Sequence, residues 1–383
     1  MKDLSSLSET IHICEYRMAD VAFFPFGNQR VMACVRGTET MCLLQEAVAR
    51  LLKQCSEFKT IDEHVDSYCQ KLQVSGTMLE SIRSKLQHQL QHLAQEGYLI
   101  SSNQLLRKTE TTNPAKEVQP HTCYLICATP RSGSTLLCEA LKNTGLAGQP
   151  EEYFHPYMQA FWKEFWGTSS YTDYVARVIR EGMTSNGVFG TKVMWDHLDS
   201  CVGNLRTIPG YERLPLHELL STIFPNLHYI FITRSDKVRQ AVSQWKALQT
   251  RIWAVVDETS PDRSPLNGSQ HKILGHHPLV WMHRPVFTGE PHFDFARIDA
   301  LVRHIESNEE RWQKYFAENG ITPLAVVYED LVAAYEQTAL QILDELAVPV
   351  PESLDLLPCR LKRQADALSE EWVQRYYEEL SRK

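Results

Sequence analysis

The sequence lacks the cysteine pairs and the long apolar run that mark several classes of protein. Its ten cysteines are scattered and form no CxxC pair, so we expect reduced, buried thiols and neither a zinc ribbon nor a dithiol redox site. No apolar run is long enough to span a bilayer, so we expect no membrane partner. The first residues lack a basic segment followed by an apolar stretch, which predicts a cytoplasmic protein without a signal peptide.

An excess of basic residues is also missing. The 39 Lys and Arg residues are outnumbered by 47 Asp and Glu residues, and the formal net charge is −8. We therefore expect no nucleic-acid partner, and any bound anion must be held by a local cluster of cations. The composition, 43% hydrophobic and 22% charged, is that of a globular protein, and 383 residues are enough for two domains.

Residues 1–106 are predicted to form a small α+β domain of winged-helix type. Helical periodicity covers about residues 40–52, and two capping boxes open further helices, one starting at Thr60 and the other at Thr77. Residues 98–100 then have the pattern of a short strand. The predicted order is three helices followed by a strand.

The second predicted domain covers residues 121–383. A polar stretch with two prolines, residues 107–120, is predicted to be the linker before it. Short apolar runs then alternate with amphipathic helices, which predicts an α/β domain with a P-loop-like, mostly parallel sheet and flanking helices. Its predicted strands are residues 123–128, 188–195, 229–233 and 324–328.

The segment 129–135, Thr-Pro-Arg-Ser-Gly-Ser-Thr, joins the first of these strands to an amphipathic helix. Such a segment gathers free backbone N–H groups and the positive end of the helix around one point, which favours an anion. Gly133 allows close approach of the backbone, and Arg131 adds a charged, forked donor. The alternative is an ordinary Ser/Gly turn before a helix. We predict a phosphate loop formed by Arg131, Ser132, Gly133, Ser134 and Thr135.

A Walker A sequence, GxxxxGK[ST], is absent from this loop. The lysine and the Mg²⁺ context expected of an ATPase or a kinase are therefore missing as well. A short loop with an arginine suits a 5′-phosphosulfate that is handled without a metal, and we predict no metal site.

The loop resembles that of sulfotransferases that use 3′-phosphoadenosine 5′-phosphosulfate (PAPS), in particular the trehalose 2-sulfotransferase type. Further stretches resemble the same family in the same order, namely 145–154, 190–195, 233–253 and 363–376. Five ordered blocks are more specific than any single motif. The resemblance implies an enzyme that moves a sulfuryl group from PAPS to a hydroxyl.

The resemblance also implies roles for four cationic or polar residues. Arg234 and Ser243 are expected to bind the 3′-phosphate of PAPS, and Arg363 is expected to bind a nucleotide phosphate. Lys192, near the end of a Gly-rich strand, is expected to stabilise charge on the departing 5′-phosphate. The alternative for Ser243, Lys192 and Arg363 is a solvated surface position.

Glu152 is the general base that the resemblance implies, since it stands just before a pair of aromatic residues, as the catalytic carboxylate of the family does. Glu151 is adjacent, but neighbouring side chains of an extended segment point apart, so only one can serve. His155 is the rival base. Glu152, Lys192 and Arg131 form the predicted catalytic set.

The N-terminal module resembles small PqqD-like domains that recognise peptides. A leader peptide would then add a strand to an exposed sheet edge, and the acceptor would be a hydroxyl on a peptide. The alternative is a winged helix that is either structural or dimerising. In the dimerising case the protein would be a homodimer. Residues 257–295, rich in Pro, Gly and His, are predicted to be an acceptor lid or a subunit contact.

The sequence thus predicts a two-domain sulfotransferase whose acceptor is a carbohydrate or a peptide-borne hydroxyl. One rival is a P-loop kinase. The other is a peptide-recognition module fused to a catalytically silent nucleotide-binding domain.

Overall fold

The computed structural model describes residues 15–25, 30–36, 41–72, 76–101, 119–250, 252–255, 290–354 and 356–382. The chain divides into two units, residues 1–115 and 116–383. Most of the predicted linker, residues 107–118, lies outside the described residues, so the proposed boundaries at 106 and 121 stay predictions.

The N-terminal unit combines two small antiparallel sheets with helices. One sheet pairs β1 (Tyr16–Met18) with β5 (Leu99–Ser101), and the other has the order β2 (Val21–Pro25), β3 (Arg30–Val35), β4 (Met41–Gln45). The helices are α1 (Glu46–Gln54), α2 (Ile61–Cys69) and α3 (Thr77–Gln95). Leu51, Val65 and Leu90, one from each helix, are fully buried in a shared core.

The structure corrects two of the helix predictions in this unit. The predicted helix at 40–52 begins only at Glu46, because Met41–Gln45 pairs with β3, with Cys42 opposite Ala33. The capping box at Thr77 is wrong, since Thr77 lies inside α3 and the N-cap is Gly76 at φ 72°.

Other features of the N-terminal unit follow the sequence pattern. The capping box at Thr60 is confirmed, because its hydroxyl accepts from the backbone N–H of Glu63 at 3.2 Å while the Glu63 carboxylate accepts from Thr60 N at 2.8 Å. The short strand at 98–100 is confirmed as Leu99–Ser101. The winged-helix and PqqD-like assignments stay predictions.

The C-terminal unit is built on a four-stranded parallel sheet with flanking helices, as the sequence predicts. The strand order is β7 (Val188–Met194), β6 (Thr122–Ala128), β8 (Leu227–Thr233), β9 (Leu324–Val327). Its helices are α4 (Ser134–Asn143), α5 (Pro156–Trp166), α6 (Tyr171–Gly182), α7 (Trp195–Leu205), α8 (Leu216–Ile223), α9 (Lys237–Thr250), α10 (Phe295–Glu318), α11 (Tyr328–Ala333), α12 (Tyr335–Glu345) and α13 (Ala367–Ser381).

The central strand of this sheet explains the apolar run that predicted it. Every residue of β6 is buried, because β7 and β8 flank it on its two sides and helices cover its faces. Because all four strands are parallel, their carboxyl ends lie at one edge of the sheet, and the segments that follow them converge there.

Among the described residues, no helix combines the length and the apolar character that crossing a lipid bilayer requires. The predicted lid or subunit contact at 257–295 lies outside the described residues up to position 289.

Candidate active site

A cavity of about 700 Å³ lies within the C-terminal unit. Segments that follow the carboxyl ends of all four strands contribute to its wall, through Pro130 after β6, Asp196 after β7, Arg234 after β8 and Tyr328 after β9. Every predicted site residue except Ser132 lines it: Arg131, Gly133, Ser134, Thr135, Glu152, His155, Lys192, Arg234, Ser243 and Arg363. Residues predicted from blocks far apart in the sequence therefore share one cavity.

Ser132 is the exception among the predicted loop residues. It is 0% exposed, and its hydroxyl has no hydrogen-bond partner among the described residues. Its backbone N–H donates to the carbonyl oxygen of Thr129 at 3.3 Å, and its part in phosphate binding stays a prediction.

The start of α4 has the form of an anion site. Its N-cap is Gly133 at φ 93°, no side chain of the described residues caps the first turn, and that turn carries no acidic residue. Gly133, Ser134 and Thr135 all line the cavity. The free N–H groups and the positive end of the helix are thus available to an anion.

Tyr328 packs directly against this loop. A Cβ atom added to Gly133 would lie 2.4 Å from Cδ2 of Tyr328, and the guanidinium carbon of Arg234 lies 4.6 Å from the centre of the Tyr328 ring. Tyr328 is also the first residue of α11, and the carboxylate of Glu329 beside it accepts from the backbone N–H of Ser235 at 3.1 Å.

Gly133→Ala should destabilise the C-terminal unit by about 1–3 kcal/mol, because the new methyl group meets the Tyr328 ring and the φ of 93° strains any L side chain. Urea and thermal unfolding would measure the effect. Gly203→Ala is the matched control: Gly203 lies inside α7 with open space around it, so alanine should stabilise by about 0.5–1 kcal/mol. A Gly133→Ala protein as stable as the wild type would contradict the tight packing.

Arg131 connects three segments of the cavity wall. Its Nε donates to the Ser243 hydroxyl at 2.9 Å, its Nη2 donates to the Gln364 side-chain oxygen at 2.7 Å, and its Nη1 donates to the carbonyl oxygen of Trp253. These partners belong to the blocks 233–253 and 363–376 that the resemblance singled out. The loop arginine therefore reaches across to the region expected to hold the 3′-phosphate.

Two arginines lie close together on this side of the cavity. Burial, and then repulsion from Arg234, lower the pKa of Arg131 to about 10. Burial also lowers the pKa of Arg234, whose buried Nε has no hydrogen-bond partner among the described residues. A dianion between them would relieve the repulsion and accept the unpaired donor.

Helix α9 supports the loop with polar side chains. Gln240 is 0% exposed and donates from its Nε2 to Thr129 Oγ1 at 2.9 Å and to the carbonyl oxygen of Pro130 at 2.8 Å. Ser243 is half-buried and bonded to Arg131. The polar stripe of this helix therefore faces the loop, and the solvated alternative is wrong for Ser243.

Lys192 and Glu152 form a buried ion pair in the cavity. Their side chains are 2% and 5% exposed, and Lys192 Nζ lies 3.3 Å from Glu152 Oε2. Lys192 Nζ also donates to the Thr135 hydroxyl of the loop at 3.4 Å. The alternative of a surface lysine is therefore wrong, and Lys192 lies between the loop and the predicted base.

The charge state of Glu152 follows from its neighbours. Burial alone would raise the pKa of Glu152, but Lys192, with His197 and His155, outweighs burial and holds that pKa well below its ordinary value. Burial alone would lower the pKa of Lys192, but Glu152 outweighs burial and raises it. Both groups are thus charged at neutral pH, and the carboxylate is free of its proton.

Strand β7 holds the segment that carries Glu152. The carbonyl oxygen of Glu151 accepts from Lys192 N at 2.9 Å and from the Thr191 hydroxyl at 3.0 Å, so this segment runs along β7. The two carboxylates point apart, as expected: that of Glu151 pairs with Lys142 at 2.5 Å, away from Lys192. Of these two glutamates, Glu152 lines the cavity and Glu151 does not.

Two histidines lie beside Glu152. His197 Nδ1 lies 3.3 Å from Glu152 Oε1, and the rings of His197 and His155 meet edge to face with centroids 4.2 Å apart. His155 is also the N-cap of α5, where its Nδ1 accepts from the backbone N–H of Tyr157 at 3.2 Å. His197 and Tyr157 were not predicted. Nothing in their spacing distinguishes them from other helix residues.

Glu152, His155 and His197 also place potential ligand atoms within 4.8 Å of one another. A metal ion bound there would compete with Lys192 for the carboxylate. The expectation that this site works without a metal stays a prediction.

Comparison with known proteins assigns the family. The model of the family Stf0 sulphotransferase matches residues 123–272 and 281–379, which is well over half of the chain. The chain belongs to the Stf0 sulfotransferase family. It is a sulfotransferase, and neither the kinase nor the catalytically silent alternative is favoured. The matched residues lie in the C-terminal unit.

This Stf0 sulfotransferase is similar to two curated proteins, both named trehalose 2-sulfotransferase. One is from Mycobacterium tuberculosis (strain ATCC 35801 / TMC 107 / Erdman) and is 29% identical over 286 residues. The other is from Mycolicibacterium smegmatis (strain ATCC 700084 / mc(2)155) and is 29% identical over 294 residues. Each comparison covers 68% of this chain and 96% of the relative.

Proposed function

We propose that this sulfotransferase takes its sulfuryl group from PAPS and transfers it to a hydroxyl of a small carbohydrate. The single observation that carries the proposal is the cavity in which an open helix N-terminus, three arginines and a buried Lys–Glu pair converge. The names of the two relatives support a sugar acceptor.

The fit of the donor rests on two groups of anion-binding residues in the cavity wall. The uncapped start of α4, with Ser134 and Thr135, suits the 5′-phosphosulfate. Arg234, with its unpaired Nε, and the Arg131–Ser243 pair suit the 3′-phosphate that distinguishes PAPS from ATP. A net charge of −8 gives no general attraction for anions, so this local cluster must supply it.

Lys192 is proposed to stabilise the charge that develops on the departing phosphate. Its contact with Thr135 of the loop and its ion pair with Glu152 support a position between donor and acceptor. A preorganised buried cation in that position stabilises the transition state more than it would in water. Sulfuryl transfer then requires alignment and charge stabilisation, as phosphoryl transfer does.

Glu152 is proposed to take the proton of the acceptor hydroxyl. Glu152 is ionised across the neutral range and so can accept a proton, while the charge of Lys192 that lowers its pKa also lowers its basicity. The Nδ1–H of His197 can hold its carboxylate in place. His155 is less suited, because its Nδ1 already accepts a backbone hydrogen bond from Tyr157. In the neutral ring the other nitrogen then carries the proton and cannot accept a second one.

The test is a transfer assay with purified protein, PAPS and separate acceptors: trehalose, glucose, and a peptide with Ser, Thr and Tyr residues. The proposal expects a sulfate ester on a sugar, detected by mass spectrometry, and release of 3′,5′-bisphosphoadenosine (PAP). Sulfation of the peptide alone would overturn the carbohydrate acceptor and would favour the peptide-recognition role predicted for the N-terminal module. Transfer to none of them, without PAP binding, would overturn the donor as well.

A further inference from the structure

Side chains that contact one another form a row that starts at the loop and lines the cavity. Lys192 touches Thr135 of the loop and pairs with Glu152. Beyond Glu152 come His197, with Nδ1 at 3.3 Å from the carboxylate, and His155, whose ring centroid lies 4.2 Å from that of His197.

Tyr157 continues this row beyond His155. Its ring centroid lies 5.6 Å from that of His155, with the planes inclined by 37°. In this series of contacts Tyr157 comes after the proposed base and lines the same cavity, so it is available to an acceptor whose hydroxyl lies at Glu152.

The exposure of Tyr157 sets it apart from the other aromatic residues of α5. Its side chain is 65% exposed although it lines the cavity, whereas the remaining aromatic residues of this helix are buried. These are Phe161, Trp162, Phe165 and Trp166. The bond from its backbone N–H to His155 Nδ1 fixes the start of the helix and hence the position from which the ring projects.

We propose that Tyr157 is the platform on which the acceptor sugar lies. A pyranose ring presents C–H groups on its face and hydroxyls at its edge. An aromatic face suits the C–H groups, and the imidazoles of His155 and His197 suit the hydroxyls. The inference rests on the proposed carbohydrate acceptor and adds the residue that selects a ring-shaped polyol over a flexible peptide hydroxyl.

The test is steady-state kinetics of Tyr157→Ala, Tyr157→Phe and Tyr157→Trp, with trehalose and glucose as acceptors. Tyr157→Ala should raise the KM for the sugar about tenfold, equivalent to about 1.4 kcal/mol, with little change in kcat. The sugar KM of Tyr157→Phe and of Tyr157→Trp should stay within about threefold of the wild-type value, because both variants keep an aromatic face. The Kd for PAP, measured by calorimetry, should be unchanged in all three, since the platform does not touch the donor.

Tyr377→Ala is the matched control. Tyr377 is also an exposed tyrosine of the C-terminal unit, at 50% exposure, but it lies on α13 and does not line the cavity. Its loss should leave both the sugar KM and the Kd for PAP unchanged.

The outcomes separate this inference from the proposed function. Sugar sulfation by the wild type with an unchanged KM in Tyr157→Ala would contradict the platform alone. An equal loss in Tyr157→Phe and Tyr157→Ala would also contradict it, because the hydroxyl and not the ring face would then matter. A wild type that binds PAP but sulfates no sugar would contradict the proposed acceptor and the platform together.

Discussion

Glu152→Gln should lower kcat about 10²–10⁴-fold while the protein still binds PAP, because the amide keeps the shape of the side chain but cannot take up the acceptor proton. Removal of the negative charge also frees Lys192 from its ion pair, so PAP binding should be as tight as in the wild type or tighter. Initial rates at saturating PAPS and sugar measure the first effect. Calorimetric titration with PAP measures the second.

Glu151→Gln is the control for this variant. Its carboxylate is also buried, at 3% exposure, and paired with a lysine, but it faces Lys142 outside the cavity. We expect Glu151→Gln to lower the free energy of unfolding, because it breaks a buried ion pair. Its kcat should stay within about threefold of the wild type, because the carboxylate does not line the cavity. Full activity in Glu152→Gln would refute its role, and His155 would become the base to test.

Arg131→Ala should weaken PAP binding by about 2–5 kcal/mol, or roughly 30- to 5,000-fold in Kd. The substitution removes a buried cation and also releases Ser243, Gln364 and Trp253, all of which Arg131 holds in position. Calorimetry or displacement of a fluorescent PAP analogue measures the loss. The Kd of Arg131→Lys for PAP should fall between those of the wild type and Arg131→Ala. An ammonium keeps the charge but loses the fork that binds three partners.

Arg239→Ala controls for the removal of a cation from the same region. Arg239 lies on α9, one turn before Ser243, where it pairs with Asp236 and Glu370 and does not line the cavity. Its loss should change the PAP Kd by less than about threefold, because partly exposed ion pairs contribute little. If Arg239→Ala weakened PAP binding as much as Arg131→Ala does, the general positive charge of the region, and not the geometry at Arg131, would govern donor binding.

The parallel sheet and the loop were predictable because local signals and tertiary structure agree there. Buried parallel strands need continuous apolar runs, and β6 has one over its whole length. The turn after it needs a glycine with positive φ, and Gly133 supplies it. The resemblance then named the residues that share the cavity, which periodicity alone could not have assembled.

Predictions from local patterns were wrong where tertiary contacts decide the outcome. The apolar residues at 41–45 fit either a helix or a strand, and pairing with β3 selects the strand. Gln240 is polar and lies outside the apolar stripe of its helix, yet it is buried because the Thr129 hydroxyl and the Pro130 carbonyl oxygen both accept hydrogen bonds from its Nε2.

Three further residues of the site were not among the predicted site residues. Tyr328 contacts Gly133 and Arg234 only because β9 ends beside β8 in the sheet. His197 and Tyr157 reach the neighbourhood of Glu152 from two different helices. Such proximity depends on the packing of whole elements, which spacing along one chain does not encode.

The central claim is that one cavity holds both phosphate ends of a single adenosine nucleotide, and a comparison of PAP with adenosine 5′-monophosphate tests it most directly. The two ligands differ only in the 3′-phosphate, so calorimetry of both isolates the part assigned to Arg234, Ser243 and Arg131. Two charge-assisted contacts of about 1.5 kcal/mol each predict that PAP binds at least about a hundredfold more tightly. Equal affinity for the two nucleotides would contradict the account.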